Sequence, residues 1–256
     1  MTDSTAPIKP ISALKSDRRM ALYFANEDER RAVTRAMFDQ AAAGYDSAES
    51  LTALGSGAGY RREVLRRVGL APGMSLLDVA AGTGLVTAAA LELVGPLGKV
   101  WALDPSPGML VELRKKMMHV QTIEAYAESI PLPDGLVDVV SMGYALRHVG
   151  DLAQAFAEYR RVLKPNGRVC LMEISRPGNP VLRGLLRFHI AVVVPLLARL
   201  TRRHDHVQKL WKYYGDTIEA ALEPELIMDA LRHAGFSEVR CDVSLGVFRE
   251  YTGRNI

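Results

Sequence analysis

The stretch Met74–Gly84 (MSLLDVAAGTG), continued by Leu85–Leu93 and then by Lys99–Asp104 (KVWALD), decides the fold. A short apolar run enters a glycine turn, the turn opens a helical pattern, and a second short apolar run closes on an acid. That order reads as strand, turn, helix, strand. Working outward, helix Pro107–Met118, strand Thr122–Tyr126, strand Val137–Met142, helix Asp151–Leu163, turn Lys164–Gly167 and strand Arg168–Ile174 repeat the alternation. Strands alternating with helices at this spacing predict a doubly wound, mostly parallel α/β sheet covered on both faces. Upstream, Glu27–Gln40 and Gly59–Val68 read as helices. Downstream, helix Glu223–His233 leads to the runs Glu238–Val243 and Gly246–Tyr251, which read as an antiparallel pair at the sheet edge.

The 256 residues, 48% hydrophobic and 24% charged, suit one or two domains at about 150 residues each. Disorder, collagen and coiled coil are excluded on composition. The longest wholly apolar run, Ile190–Ala198, falls short of the roughly 20 residues that span a bilayer. The N-terminus lacks an apolar signal core and carries Asp3 and Asp17, so the chain is read as cytoplasmic. Cys170 and Cys241 lie in strand-like runs and are expected to be reduced core thiols. A net charge of +3 does not indicate nucleic-acid binding. Basic residues do cluster at Arg183, Arg187, Arg199, Arg202, Arg203, Lys209 and Lys212, around the most apolar stretch of the chain.

In a doubly wound sheet, ligands bind beyond the C-terminal ends of the strands, where glycines admit a close backbone and a helix N-terminus offers N–H groups. The turn Asp78–Gly84 occupies that place, and Asp104 ends the second strand about 20 residues on, where a carboxylate meets a ribose diol. A dinucleotide fingerprint would need three glycines, but Ala80 and Leu85 stand at the first and third positions, which disfavours NAD. The pattern D-x-A-x-G-x-G with a following acid resembles the class I S-adenosylmethionine-dependent methyltransferases.

Further segments narrow the resemblance. Phe38–Asp46 (FDQAAAGYD), Leu77–Gly84 (LDVAAGTG), Asp104–Leu110 (DPSPGML), Ala127–Asp134 (AESIPLPD), Tyr144–Val149 (YALRHV), Tyr159–Gly167 (YRRVLKPNG), Glu173–Pro177 (EISRP) and Ala234–Phe236 (AGF) occur in order over roughly Ala32 to Gly253. They resemble the ubiquinone/menaquinone C-methyltransferase family. The resemblance implies one seven-stranded methyltransferase domain over 1–256, with an N-terminal extension (1–30) and a helical cover on the acceptor side (178–222). It implies S-adenosyl-L-methionine as cofactor, lined by Asp78, Ala80, Gly82, Thr83 and Gly84. Asp104 and Pro105 would sit at the ribose, Ala127 and Glu128 at the adenine, and Met142 beside them. Met109 reads as core first and contact second. The chain departs from the family pattern at Leu85, at Ser47–Glu49, at His148 in place of Asn, and at Tyr126, where Asp or Asn usually reaches the adenine amino group.

Carbon methylation of a hydroxylated ring needs the phenol deprotonated, so a base and a cation belong near its oxygen. Arg147 and His148, after the fourth strand, are the candidates, with Tyr45 third. The plainer alternative pairs Arg147 with an acid such as Asp151. His204 and His206 do not have metal-ligand spacing, and no metal is expected. The expected acceptor is a lipophilic small molecule such as an isoprenoid quinol, and the segment 180–203 is a candidate for peripheral contact with an anionic membrane. A homodimer stays open, as do O-methylation and a catalytically inactive cofactor-binding scaffold.

Overall fold

The computed structural model describes residues 27–53, 57–175, 177–193 and 222–256, with Leu196 and Thr217. Strand β1 (Ser75–Val79) is buried along its whole length, as a central parallel strand must be. It pairs in parallel with β2 (Lys99–Asp104) on one side and with β4 (Val137–Gly143) on the other. β3 (Gln121–Glu124) extends the sheet beyond β2, and β5 (Leu163–Ile174) extends it beyond β4. β7 (Phe248–Asn255) runs antiparallel between β5 and the edge strand β6 (Phe236–Ser244). The order β3-β2-β1-β4-β5-β7-β6 reverses direction between β1 and β4. A crevice opens above the strand ends at such a switch point.

Two-residue alternation divides the core. Leu77 and Val79 of β1 join Leu103, Val140 and Met142 on one face, under Phe156 and Tyr159 of α5 (Leu152–Val162) and Leu231 of α7 (Pro224–His233). Leu76 joins Val100, Val139 and Cys170 on the other face, under Leu65 of α2 (Gly57–Arg67) and Val86 and Ala90 of α3 (Leu85–Val94). α4 (Pro107–Lys116) contributes Leu113 to a third cluster with Ala102, Met117 and Val120, and is capped by Ser106, whose hydroxyl accepts from the Met109 N–H.

Four expectations need correction. The first helix, α1 (Glu27–Ala53), runs well past Gln40, because Ala41 and Ala42 are buried and carry it across the Ala-rich stretch. β5 starts at Leu163, and the expected turn Lys164–Gly167 is a bulge inside it, with Asn166 at φ 67°. The second N-terminal helix begins at Gly57, two residues early. Cys241 is only half-buried, since it lies on the edge strand, whereas Cys170 is fully buried and its thiol is pushed up to about 12 by burial.

α6 (Pro180–Phe188) follows the sheet. The Asn179 side chain caps it by accepting from the Val181 N–H at 2.8 Å. None of its residues is buried, and Val181, Leu185 and Phe188 are exposed. Most of the basic stretch beyond it, including Arg199, Arg202, Arg203, His204 and His206, lies outside the described residues, as does the extension 1–26. Among the described residues no helix is long and apolar enough to cross a membrane.

Candidate active site

A pocket opens at the switch point, over the C-terminal ends of β1, β2 and β4. Its floor is built by the turn after β1. Ala80 and Gly82 take positive φ (53° and 56°), and the Ala81 N–H donates to the Leu103 carbonyl at 3.0 Å, pinning the turn to β2. A side chain on Gly82 would meet nothing within 4 Å, so this glycine faces the opening. The Gly82 N–H donates to Asp104 Oδ2 and the Ser106 N–H to Asp104 Oδ1, each at 2.8 Å. Burial nonetheless raises the Asp104 carboxyl to about 6, against those two hydrogen bonds.

The far wall is Tyr126, Ala127 and Glu128. Buried Glu128 accepts from the N–H groups of Gly150 (2.9 Å) and Asp151 (3.2 Å) and from Arg31 Nη2 (3.1 Å). Met142, Tyr144, Ala145, His148 and Val149 close the β4 side. Tyr144 sits at φ 60°, a conformation that costs a non-glycine residue about 1 kcal/mol or more and collects at functional sites. Its ring is backed by the Arg61 guanidinium at 5.5 Å and by Phe248 edge-on at 6.3 Å.

The roof is α1. Arg30, Arg31, Thr34, Arg35, Phe38 and Tyr45 all line the pocket. Contacts along its length hold it down. Arg35 reaches Glu124 at 2.8 Å, and the Arg31 guanidinium lies over the Tyr126 ring at 5.0 Å. Asp39 accepts from the Ser106 hydroxyl and from the Gly108 N–H, at the start of α4. Asp46 accepts from the Thr83 hydroxyl and from Lys116.

Of the residues singled out in the sequence, the structure brings Ala80, Gly82, Asp104, Pro105, Met109, Ala127, Glu128, Met142, Tyr45 and His148 together around the pocket. Four others are placed elsewhere. Asp78 is buried behind the floor, accepting from Thr87 Oγ1 (2.7 Å) and Ser141 Oγ (3.0 Å), and burial raises its carboxyl to about 7. Gly84 turns into the α3–α4 interface at φ 90°, where a side chain would strike Met117 and Leu113, so packing requires it. The Thr83 hydroxyl is engaged with Asp46.

Arg147 also lies outside the pocket wall. Its guanidinium pairs with Glu173 and donates through Nε to Thr217 Oγ1 at 3.1 Å, with both partners of the ion pair nearly buried. The partner is therefore Glu173 of the EISRP segment, while Asp151 caps α5 by accepting from the Gln154 N–H. His148 is half-buried, with its Nε2 shielded from solvent, and meets the Phe38 ring in an edge-on arrangement, 5.5 Å between ring centroids. Burial, and then the charges of Arg147 and Arg30, hold its imidazole well below the usual histidine range, so it is neutral.

Sequence reasoning missed Arg30, Arg31, Thr34, Arg35 and Phe38 as wall residues, although helical spacing on Glu27–Gln40 places 31, 34, 35 and 38 on one face. Tyr144, at the residue after β4, was missed as well. Among the described residues no group of three or more His, Cys, Asp or Glu is disposed to hold a metal.

A switch-point crevice, a floor glycine open to it and a buried carboxylate at the end of β2 fit an adenosyl cofactor, and solved structures agree on the frame. The chain superposes with a TM-score of 0.53 on a SAM-dependent methyltransferase from Aquifex aeolicus (20% identity, 77% of this chain, 89% of that one). For a SAM-dependent methyltransferase from Thermotoga maritima the TM-score is 0.61 (18% identity, 86% and 99% covered). The fold is that of a class I methyltransferase that uses S-adenosyl-L-methionine. Within that class, residues 25–253 match the model of the ubiE/COQ5 methyltransferase family, and the chain belongs to it. It is 30% identical over 232 residues to the ubiquinone/menaquinone biosynthesis C-methyltransferase UbiE of Hahella chejuensis, covering 88% of this chain and 92% of that one.

Proposed function

We propose that the enzyme methylates a ring carbon of an isoprenoid quinol or a similar phenolic acceptor. The observation that carries this reading is His148, an imidazole in the pocket wall in the turn after β4, packed against the ring of Phe38 at 5.5 Å, with Tyr144 lining the same pocket. Support also comes from the relatives, whose names specify C-methylation in quinone biosynthesis. Asp104 and Gly82 would hold the ribose end of the cofactor, and Ala127 and Glu128 would flank its adenine. The bound cofactor supplies an electrophilic methyl on a sulfonium.

The protein's part is then to position the ring and to move one proton. Neutral His148 takes the proton of the acceptor's hydroxyl. The oxyanion feeds electron density to the ring carbon, which forms the new carbon–carbon bond as the methyl–sulfur bond breaks. The ring proton at that carbon then passes to water, and the His148 imidazolium returns its proton to the ring oxygen, so the aromatic phenol is restored and one proton is released overall. Arg147, bound to Glu173, holds the turn that carries His148. Substituting His148→Ala or His148→Gln is expected to lower turnover by about 10²- to 10⁴-fold while S-adenosylhomocysteine still binds. Wild-type turnover in both variants would remove His148 from the chemistry.

A further inference from the structure

Thr34 stands in the middle of α1, and its hydroxyl is an anomaly. The residue is 9% exposed and borders the pocket, yet Oγ1 is buried and has no hydrogen-bond partner among the described residues. A hydroxyl in a helix usually satisfies itself by bonding back to the carbonyl four residues earlier, and a buried one left without a partner is costly. Such a group persists where something other than the protein engages it in the working state.

Its position along α1 says what that something is. One turn before it, Arg31 lies over Tyr126 and donates to Glu128, and one turn after it, Phe38 meets His148. The contacts of Asp46 with Thr83 and Lys116, at the glycine-turn end, come roughly 18 Å further along the helix at 1.5 Å per residue. Thr34 therefore faces the Tyr126–Glu128 end of the pocket. Two groups of that wall are already engaged. Glu128 accepts from three N–H groups, and the Tyr126 ring carries the Arg31 cation.

We infer that Thr34 is the residue of α1 that recognises the base of the cofactor, its Oγ1 accepting a hydrogen bond from the purine 6-amino group. This rests on the reading of Ala127 and Glu128 as the adenine end. The helix is then part of the recognition surface and not only a roof, and the cofactor supplies the partner that the protein withholds from Thr34.

The test is calorimetric titration of wild-type, Thr34→Val and Thr34→Ser protein with S-adenosylhomocysteine and with the analogue carrying hydrogen in place of the 6-amino group. Thr34→Val should weaken S-adenosylhomocysteine binding about three- to tenfold, the worth of one hydrogen bond. Thr34→Ser should stay within about twofold of wild type. The deamino analogue should bind wild type as weakly as S-adenosylhomocysteine binds Thr34→Val, and should lose nothing more in that variant. Thermal unfolding without ligand supplies a readout of opposite sign, because replacing an unsatisfied hydroxyl by a methyl should leave the free protein at least as stable. A purely structural threonine would lose stability instead. Unchanged affinity in Thr34→Val overturns the proposal, as do losses from the variant and the analogue that simply add. Binding of both ligands with equal affinity to wild type overturns the adenine-end reading, and binding of neither overturns the cofactor site as a whole.

Discussion

Arg147 shows how a side chain adjacent to a pocket can belong to the frame. Its position after the fourth strand suggests a cation for a phenolate, but its guanidinium is committed to Glu173, with 6% and 4% of the two side chains exposed. Removing one partner of a buried pair leaves an uncompensated charge, so Arg147→Ala should cost about 3–5 kcal/mol of folding stability in urea titration. Unchanged stability together with lost turnover would return Arg147 to the acceptor site. Two residues in the glycine turn part in the same way. Gly82 has open space where a side chain would project, and Gly84 has Met117 and Leu113. One composition thus covers two causes, ligand access and packing, which only the neighbouring helix distinguishes.

At the scale of elements, the sheet was readable because buried parallel strands leave continuous apolar runs, and because a glycine turn and a terminal acid punctuate them. The floor of the pocket follows from those local signals. Its roof does not. Arg31 and Glu128 are 97 positions apart, Arg35 and Glu124 are 89 apart, and nothing local in Glu27–Gln40 separates a helix that covers a site from one that covers a sheet. The reach of α1 to Ala53 was hidden by Ala41–Gly44, where small residues mark no end of their own. α6 carries a different message. It is capped, it buries none of its residues, and it presents Val181, Leu185 and Phe188 beside Arg183 and Arg187. We propose that it meets an anionic bilayer surface, which would bring the pocket to a lipophilic acceptor. Co-sedimentation with phosphatidylglycerol-containing vesicles should fall at least about tenfold in a Leu185→Glu, Phe188→Glu double variant. Wild-type protein that pellets only at background would contradict this.

At the scale of the whole molecule, stability depends on charges sealed at the centre. Asp78 and Asp104 titrate at about 7 and about 6 in the fold against an ordinary 3.8. The folded state holds their protons more tightly than the unfolded chain does. Their contribution is therefore fully present below about pH 4 and is lost as pH rises through 6 and 7. His148 works the other way, since its depressed value adds stability above about pH 6.5 that is lost on acidification. Asp78→Asn, which removes one of these ionisations, should gain stability relative to wild type between pH 5 and pH 8 in urea titrations. A difference that does not change with pH would contradict the sealed carboxylate. The central claim, methyl transfer to carbon, is tested most directly by incubating the enzyme with S-adenosylmethionine labelled with carbon-13 at the methyl and a prenylated quinol that has one vacant ring position. A labelled aryl methyl carbon in the product spectrum is the expected result, and a labelled methoxy carbon, or no labelled product, would contradict it.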